Sequence, residues 1–147
     1  MSFDPGVPDD VLRKIKEGAS EVRSAGDALN ARIRAFEEWV AKLPGRVETT
    51  CTISSDADGE NSTILNLKRE GKEWTLYRYE WNEQMEHASD YKPLRDASVL
   101  EKAFAVSQLP KVLTEMVTAQ KSMVEQAQRS TREFDTFAKA IGLKVGE

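Results

Sequence analysis

One stretch of the chain decides the fold: DDVLRKIKEGASEVRSAGDALNARIRAFEEWVAKL, residues 9–43. Its apolar residues recur at alternating intervals of three and four, which is the spacing of a helix that packs along its whole length. Pro44 and Gly45 follow directly, and both residue types disfavour a continuing helix. The pattern predicts a long helix over residues 9–43, capped by Asp9 or Asp10. A loose arm, residues 1–8, precedes it.

A second stripe with the same spacing runs from Leu109 to Ile141. Pro110 interrupts it, because a proline restricts the residue before it and cannot donate a helical hydrogen bond. We therefore expect a short helix over residues 96–107 and a long helix over residues 110–141, ended by Gly142. Ser98 and Glu101 match a capping box, so the short helix begins at Asp96 or at Ser98.

The two stripes need partners along their length. The long helices pair with each other as a stalk that carries a β head, or they pair with the same helices of a second chain. We favour an oligomer, most simply a homodimer. The predicted interface residues are Leu12, Ile15, Val22, Leu29, Ile33, Phe36, Leu113, Met116, Met123 and Phe134.

The middle of the chain changes to a period of two, which predicts a three-stranded antiparallel meander over residues 46–81. A loop at Glu70-Gly71 would pair Leu67 with Trp74 and Leu65 with Leu76, placing Tyr77 and Tyr79 on the opposite face. Residues 82–95 are predicted to be irregular. The fold class is therefore α+β in a single domain, residues 1–147: long helix, three strands, short helix, long helix.

This element order is similar to that of the YbaB-type nucleoid proteins, and a β head between coiled helices is similar to prefoldin subunits. Neither similarity is carried by a sequence motif, so neither identifies a family. The nucleoid-protein analogy implies a nucleic-acid partner. The net charge of −4 argues against that partner, because it gives the chain no overall positive field.

The amino-acid composition restricts the compartment and the kinds of site that we expect for this protein. The single cysteine, Cys51, rules out an intramolecular disulfide and fits a reducing compartment. The acidic beginning of the chain does not resemble a secretory signal, and no apolar run is long enough to cross a membrane. We expect a cytoplasmic protein without a membrane partner. We also expect no metal, cofactor or enzymatic activity, since no cysteine–histidine cluster or catalytic motif is present.

Three features of the sequence allow a catalytic or metal-binding interpretation, and each also has an ordinary structural one. Residues 56–61 resemble a calcium loop, but the position of the required glutamate holds Leu65, so a hairpin turn is favoured. Cys51 and the only histidine, His87, form a nucleophile pair only if the fold brings them together. The acidic side chains near the third strand more often form a solvated rim than a catalytic pair: Glu80, Glu83, Glu86 and Asp90.

The strongest candidate site is aromatic. Tyrosine and tryptophan alternate with arginine on the third strand, and such residues stack on ligands or on a partner's side chains. The alternative is that they pack under a helix as ordinary sheet residues. The predicted function is a non-enzymatic oligomeric interaction protein of the adaptor, inhibitor or immunity type, with a protein partner. The alternative function is binding of a small or nucleotide-like ligand. The candidate residues are Tyr77, Arg78, Tyr79, Trp81 and Tyr91.

Overall fold

The computed structural model describes residues 6–146 and consists of three α-helices and one antiparallel sheet. The predicted α+β class and its order of helices are confirmed. The elements are α1 (Asp9–Ala41), β1 (Thr49–Ser55), β2 (Asn61–Glu70), β3 (Glu73–Asn82), β4 (His87–Pro93), a 3₁₀ turn (Leu94–Asp96), α2 (Val99–Ser107) and α3 (Leu109–Ile141).

The N-terminus of α1 differs from its predicted form. Pro8 occupies the capping position, and no side chain caps the helix. Asp9 and Asp10 lie inside the first turn, where their negative charge interacts favourably with the helix dipole. Of the predicted loose arm, residues 1–5 lie outside the described residues.

The boundaries of the C-terminal helices follow the predicted signals. Ser98 accepts a hydrogen bond from the backbone of Glu101, whose side chain accepts one from the backbone of Ser98, which completes the capping box. Gln108 separates α2 from α3, and Pro110 lies in the first turn of α3. Gly142 ends α3 in the left-handed conformation, at φ 76°.

The sheet has four strands in the order β1-β2-β3-β4, so the prediction of three strands was wrong. The additional strand, β4, lies in the segment predicted to be irregular. Five of its seven residues are exposed, and it lies at an edge, so its sequence carries no alternating apolar pattern. Asp90 adopts a positive φ of 56°, and the register with β3 shifts between Arg78 and Glu80.

The β2–β3 hairpin has a different register from the predicted one. Its loop is Gly71-Lys72, with a positive φ of 63° at Gly71, the first loop position, as a type II′ turn requires. Leu67 therefore faces Leu76, and the predicted pairing was wrong by two residues. Because a shift of two residues preserves the alternation of a strand, every side chain stays on its predicted face.

The helices cover only one face of the sheet. α1 packs on β3 and α2, while α3 packs on β1. The core between the helices and the sheet is formed mainly by buried aliphatic residues, among them Ile33, Val40, Leu65, Leu67, Leu76, Leu94, Val112 and Met116.

α1 runs antiparallel to β3. Glu37 contacts the backbone of Leu76, and the next turn of the helix, at Ala41, lines a groove with Trp74. The helix thus passes from the middle of β3 towards the beginning of that strand. Residues 9–25 of α1 precede the contact between Gly26 and α2, and no residue among them is buried.

α3 runs antiparallel to β1. The ammonium group of Lys111 donates a hydrogen bond to the carbonyl of Thr52 at 2.8 Å, and Gln120 donates one to the carbonyl of Gly45 at 2.6 Å. Since β1 and β3 are both antiparallel to β2, α1 and α3 run in the same direction. Two helices in this arrangement cannot form the intrachain hairpin stalk, the alternative to pairing between chains, because a hairpin requires antiparallel neighbours.

The shared direction places one helix segment beyond the sheet at each end of the molecule. Residues 9–25 of α1 extend past the sheet at one end, and residues 121–141 of α3 extend past it at the other. We call these two stretches the projecting segments.

Candidate functional site

Three tyrosines meet on the sheet face that lies opposite the helices. The Tyr91 ring stacks on Tyr77 with centroids 5.0 Å apart and lies 5.5 Å from the Tyr79 ring. The ammonium group of Lys68 lies 5.7 Å from the centre of the Tyr91 ring, within the range of a cation–π interaction. We call these four residues the tyrosine face. It consists of three aromatic rings and one cation.

A hydrogen bond to Glu70 holds the Tyr77 ring of the tyrosine face in place. The hydroxyl of Tyr77 donates a hydrogen bond to the carboxylate of Glu70, and this bond, together with burial, raises the pKa of Tyr77 to about 12. Burial also raises the pKa of Tyr79. Both phenols therefore stay neutral at physiological pH, with Tyr77 buried and Tyr91 exposed. Tyr91 presents the accessible ring.

Arg78 lies on the opposite face, because neighbouring residues of a strand alternate in direction. Its guanidinium group is nearly buried and forms ion pairs with Glu80 at 2.7 Å and with Glu101 at 2.9 Å. Asp90 lies 4.0 Å away. The structure therefore brings the three predicted tyrosines together and separates Arg78 from them.

Glu101 joins this ion cluster to the start of α2. Its hydrogen bonds with Ser98 and the nearby positive charges of Arg78 and Lys92 lower the pKa of the Glu101 carboxyl. Lys92 of β4 approaches Glu101 at 3.6 Å. The cluster thus ties β3, β4 and α2 together.

The remaining predicted site residues lie near the end of β3. The indole nitrogen of Trp81 donates a hydrogen bond to Glu83 at 2.8 Å, and Trp81 is only partly buried. Glu80 accepts a hydrogen bond from Thr63. Glu86 lies in the exposed β3–β4 turn with a φ of 48°. Glu80 and Asp90 both approach Arg78, whereas Glu83 is bonded to Trp81, so these carboxylates are held by cationic or N–H groups rather than by one another.

The sheet order separates Cys51 from His87. Cys51 is 1% exposed on β1, whereas His87 lies on β4, so two strands stand between them. Burial raises the pKa of the Cys51 thiol. Adjacent strands are about 4.8 Å apart, so the geometry does not allow the predicted alternative of a nucleophile pair.

The acidic loop between β1 and β2 satisfies its own polar groups. The carboxylate of Asp56 accepts hydrogen bonds from the backbone and the side chain of Asn61, and the backbone bond is the main reason that the pKa of Asp56 is lowered. Within residues 6–146, no group of three or more histidine, cysteine or carboxylate side chains is arranged to hold a metal ion.

A groove between α1 and β3 contains a feature that sequence reasoning missed. Glu37 is 5% exposed, and its carboxylate accepts a hydrogen bond from the backbone of Leu76 at 2.7 Å. Arg95 approaches it at 3.4 Å. Burial is the largest influence on the Glu37 carboxyl and raises its pKa. The only signal in the sequence is that Glu37 lies beside the apolar stripe, next to Phe36.

The groove has a volume of about 320 Å³ and lies where β4 no longer covers β3. β4 ends at Pro93, opposite Tyr77, so the first residues of β3 have no neighbouring strand on that side. The side chain of Glu37 takes the place of a strand at Leu76. The groove is lined by both positive and negative side chains, including Arg34, Lys72, Glu38 and Glu73.

The predicted interface residues divide into two groups. Ile33 and Met116 are buried in the core, Phe36 is partly buried against it, and Leu29 and Leu113 are partly buried. The others lie on the projecting segments. Four large apolar residues of those segments are about half exposed: Ile15 (59%), Val22 (56%), Met123 (56%) and Phe134 (46%). Leu12 is partly buried.

Comparison with protein-family models, with curated proteins and with solved structures finds no match to this chain. No helix among the described residues is long and apolar enough to span a membrane.

Proposed function

We propose that this chain is a non-enzymatic interaction protein that self-associates through its projecting segments and presents the tyrosine face to a protein partner. The observation that carries the proposal is the exposure of large apolar side chains, at helical spacing, on two segments outside the core. Ile15 and Phe137 are 59% and 57% exposed. A contiguous apolar surface on a folded protein is typical of an interaction site.

The surroundings of the cysteine thiol and of the carboxylates near Arg78 support a non-enzymatic role. The buried thiol of Cys51 has a raised pKa and is far from the histidine, whereas a nucleophilic cysteine needs a lowered pKa and access to solvent. Glu80 and Asp90 lie in ion pairs around Arg78, an arrangement that favours a structural role for these groups.

The proposal is tested by mass measurement with light scattering on the protein and on a Phe137→Asp variant. We expect a mass at least twice the chain mass of 16.5 kDa for the protein and the mass of one chain for the variant, because the substitution places a charge in the apolar stripe. Leu100→Asp is the control, since Leu100 is 83% exposed on α2, outside both stripes. A single-chain mass for the unsubstituted protein at tens of micromolar would refute self-association.

A second candidate function is the binding of a small aromatic or nucleotide-like ligand by the tyrosine face. It is favoured by the convergence of Tyr77, Tyr79 and Tyr91 on one uncovered sheet face. Such a ligand would stack on Tyr91 and raise the melting temperature of the protein, and Tyr91→Ala would abolish that rise. Arg78 would have no direct part, since it lies on the other face. A nucleotide panel that produces no thermal shift would count against this candidate.

A further inference from the structure

We infer that two copies of this chain form a closed two-fold dimer in which residues 9–25 of each copy lie antiparallel against residues 121–141 of the other. The inference rests on the proposed self-association and adds to it the identity of the segments that meet. It makes the second copy the occupant of both exposed apolar stripes.

The directions of α1 and α3 are the first observation that supports this dimer. α1 and α3 run in the same direction and project from opposite ends of the body, as the contacts of Glu37, Lys111 and Gln120 establish. A two-fold axis perpendicular to the helices, with the bodies side by side, reverses the second copy. Residues 9–25 of that copy then project from the same end as residues 121–141 of the first, and the two segments run in opposite directions.

The similar lengths of the two projecting segments also support this pairing. At 1.5 Å per residue, residues 9–25 extend for about 25 Å and residues 121–141 for about 32 Å. Each segment can therefore cover most of the apolar stripe of the other.

The spacing of the apolar residues in the two stripes is the third observation that supports this pairing. When Phe137 is placed opposite Leu12, the 3-4 spacing of both helices continues along the pair. Phe134 then lies opposite Ile15, and the small residue Ser130 lies opposite Ala19. Two consecutive layers of large side chains are thus followed by a layer of two small ones, where the two helices come closer together.

The charges also favour an apolar contact here. In the heptad that places Phe134 and Phe137 at the seam, only Glu133 among the charged residues of 121–141 lies beside the stripe. The others, such as Lys121 and Lys139, lie on the outer side. Burial of apolar area, rather than charge pairing, drives such an association, which is therefore expected to depend little on salt.

Pairing of like segments is the competing arrangement. Contact between residues 121–141 of two copies would leave the stripe with Ile15 and Val22 uncovered at both ends of the pair. Those ends would join further copies and produce an open chain of molecules. The reciprocal arrangement covers all four stripes in one closed dimer.

Crosslinking of single-cysteine variants tests the inference. Ala19→Cys and Ser130→Cys place thiols on the two stripes at exposed, small residues. The two variants are co-expressed, treated with a short bismaleimide and examined on a denaturing gel, and each variant is also treated alone. The unsubstituted chain is the control, because its Cys51 is 1% exposed.

We expect a crosslinked dimer in the mixture and its loss in each variant alone, with a native mass of two chains throughout. Crosslinking of either variant alone, or no crosslink in a mixture whose native mass is that of a dimer, would overturn the reciprocal pairing while leaving the proposed self-association intact. A native mass above two chains would overturn the closed dimer. A native mass of one chain would overturn the proposed function together with this inference.

Discussion

The carboxylate of Glu37 on α1 accepts a hydrogen bond of 2.7 Å from the backbone N–H of Leu76 on β3. This contact replaces the strand neighbour that β3 lacks beyond the end of β4, and it joins α1 to one of the two central strands of the sheet. Both groups are buried. Without this bond the buried backbone N–H of Leu76 would have no acceptor here, so its loss is expected to lower the free energy of unfolding.

Substitution of Glu37 by leucine is expected to lower the free energy of unfolding by about 2 kcal/mol, because the N–H of Leu76 loses its acceptor. Glu37→Gln keeps an acceptor oxygen at the same position and should recover most of that loss. Urea unfolding measures both values, and Glu38→Gln on the exposed side of α1 is the control. Equal stabilities for the leucine and glutamine variants would contradict the role of the hydrogen bond.

The same carboxyl makes stability depend on pH. Its pKa in the folded protein is raised above the ordinary value of 4.5, chiefly by burial, so the folded state holds the proton more tightly than the unfolded chain. The stabilising contribution is complete below pH 4.5 and is lost as the pH rises through the folded pKa. The unfolding free energy of the protein relative to Glu37→Gln should therefore fall between pH 4 and pH 7. A rising difference would show that the pKa is lowered instead.

Arg78→Ala is expected to destabilise the protein by about 2 kcal/mol, because Glu80 and Glu101 lose a nearly buried ion partner. The partners remain partly exposed, which keeps the cost below that of a fully buried pair. Arg78→Lys should recover part of the loss, since a lysine keeps the charge but contacts fewer carboxylates. Thermal unfolding distinguishes the variants. A neutral Arg78→Ala variant would show that the cluster contributes nothing to stability.

Tyrosine ionisation offers a test of the tyrosine face. The chain contains three tyrosines, and Tyr77 should ionise at about pH 12, because its hydrogen bond to Glu70 favours the neutral phenol. Absorbance titration of the folded protein should show this late step, and Tyr77→Phe should remove it. Glu70→Gln should move the step to lower pH. If Tyr77→Phe leaves the titration curve unchanged above pH 11, the assignment is wrong.

Two glycines should respond to alanine in opposite directions. Gly71 has a φ of 63°, so Gly71→Ala is expected to cost about 1 kcal/mol although the space around it is open. Gly18 lies inside α1, also with open space around it, so Gly18→Ala should stabilise the helix by about 0.5–1 kcal/mol. Thermal unfolding of both variants checks the signs, and a stabilising Gly71→Ala would contradict the turn geometry.

The helices could be predicted from the sequence because their signals are local and repeated. The stripe of α1, the capping box at Ser98 and the glycine after Ile141 each specify a boundary within a few residues. β4 could not be predicted in this way. An exposed edge strand buries almost nothing, so its sequence has no need of an apolar alternation, and its existence depends on the edge offered by β3.

The β2–β3 hairpin shows which part of its strand register can be predicted from the sequence. Alternation assigned Leu65, Leu67, Trp74 and Leu76 to one face, and that assignment is confirmed. The loop position was wrong, because Gly71 can supply a positive φ at either the first or the second loop position. The two choices differ by a register shift of two residues and keep the same buried face.

The candidate site could be predicted only in part. Alternation and aromatic content indicated Tyr77 and Tyr79, and Tyr91 was also predicted, although the strand that brings its ring to them was not. The grouping of Arg78 with them followed from closeness in sequence, although alternation places it on the other face. Glu37 could not be identified, because its role depends on an unpaired backbone group of a distant strand.

The projecting segments affect how the molecule moves in solution. With α1 and α3 extending past opposite ends of the body, one chain spans on the order of 80 Å at 1.5 Å per helical residue. A compact chain of this length has a radius of gyration of about 15 Å. Such an elongated particle diffuses slowly and elutes early from a sizing column, so retention volume overstates its mass. Small-angle scattering would detect the elongation directly as a long tail in the distribution of interatomic distances.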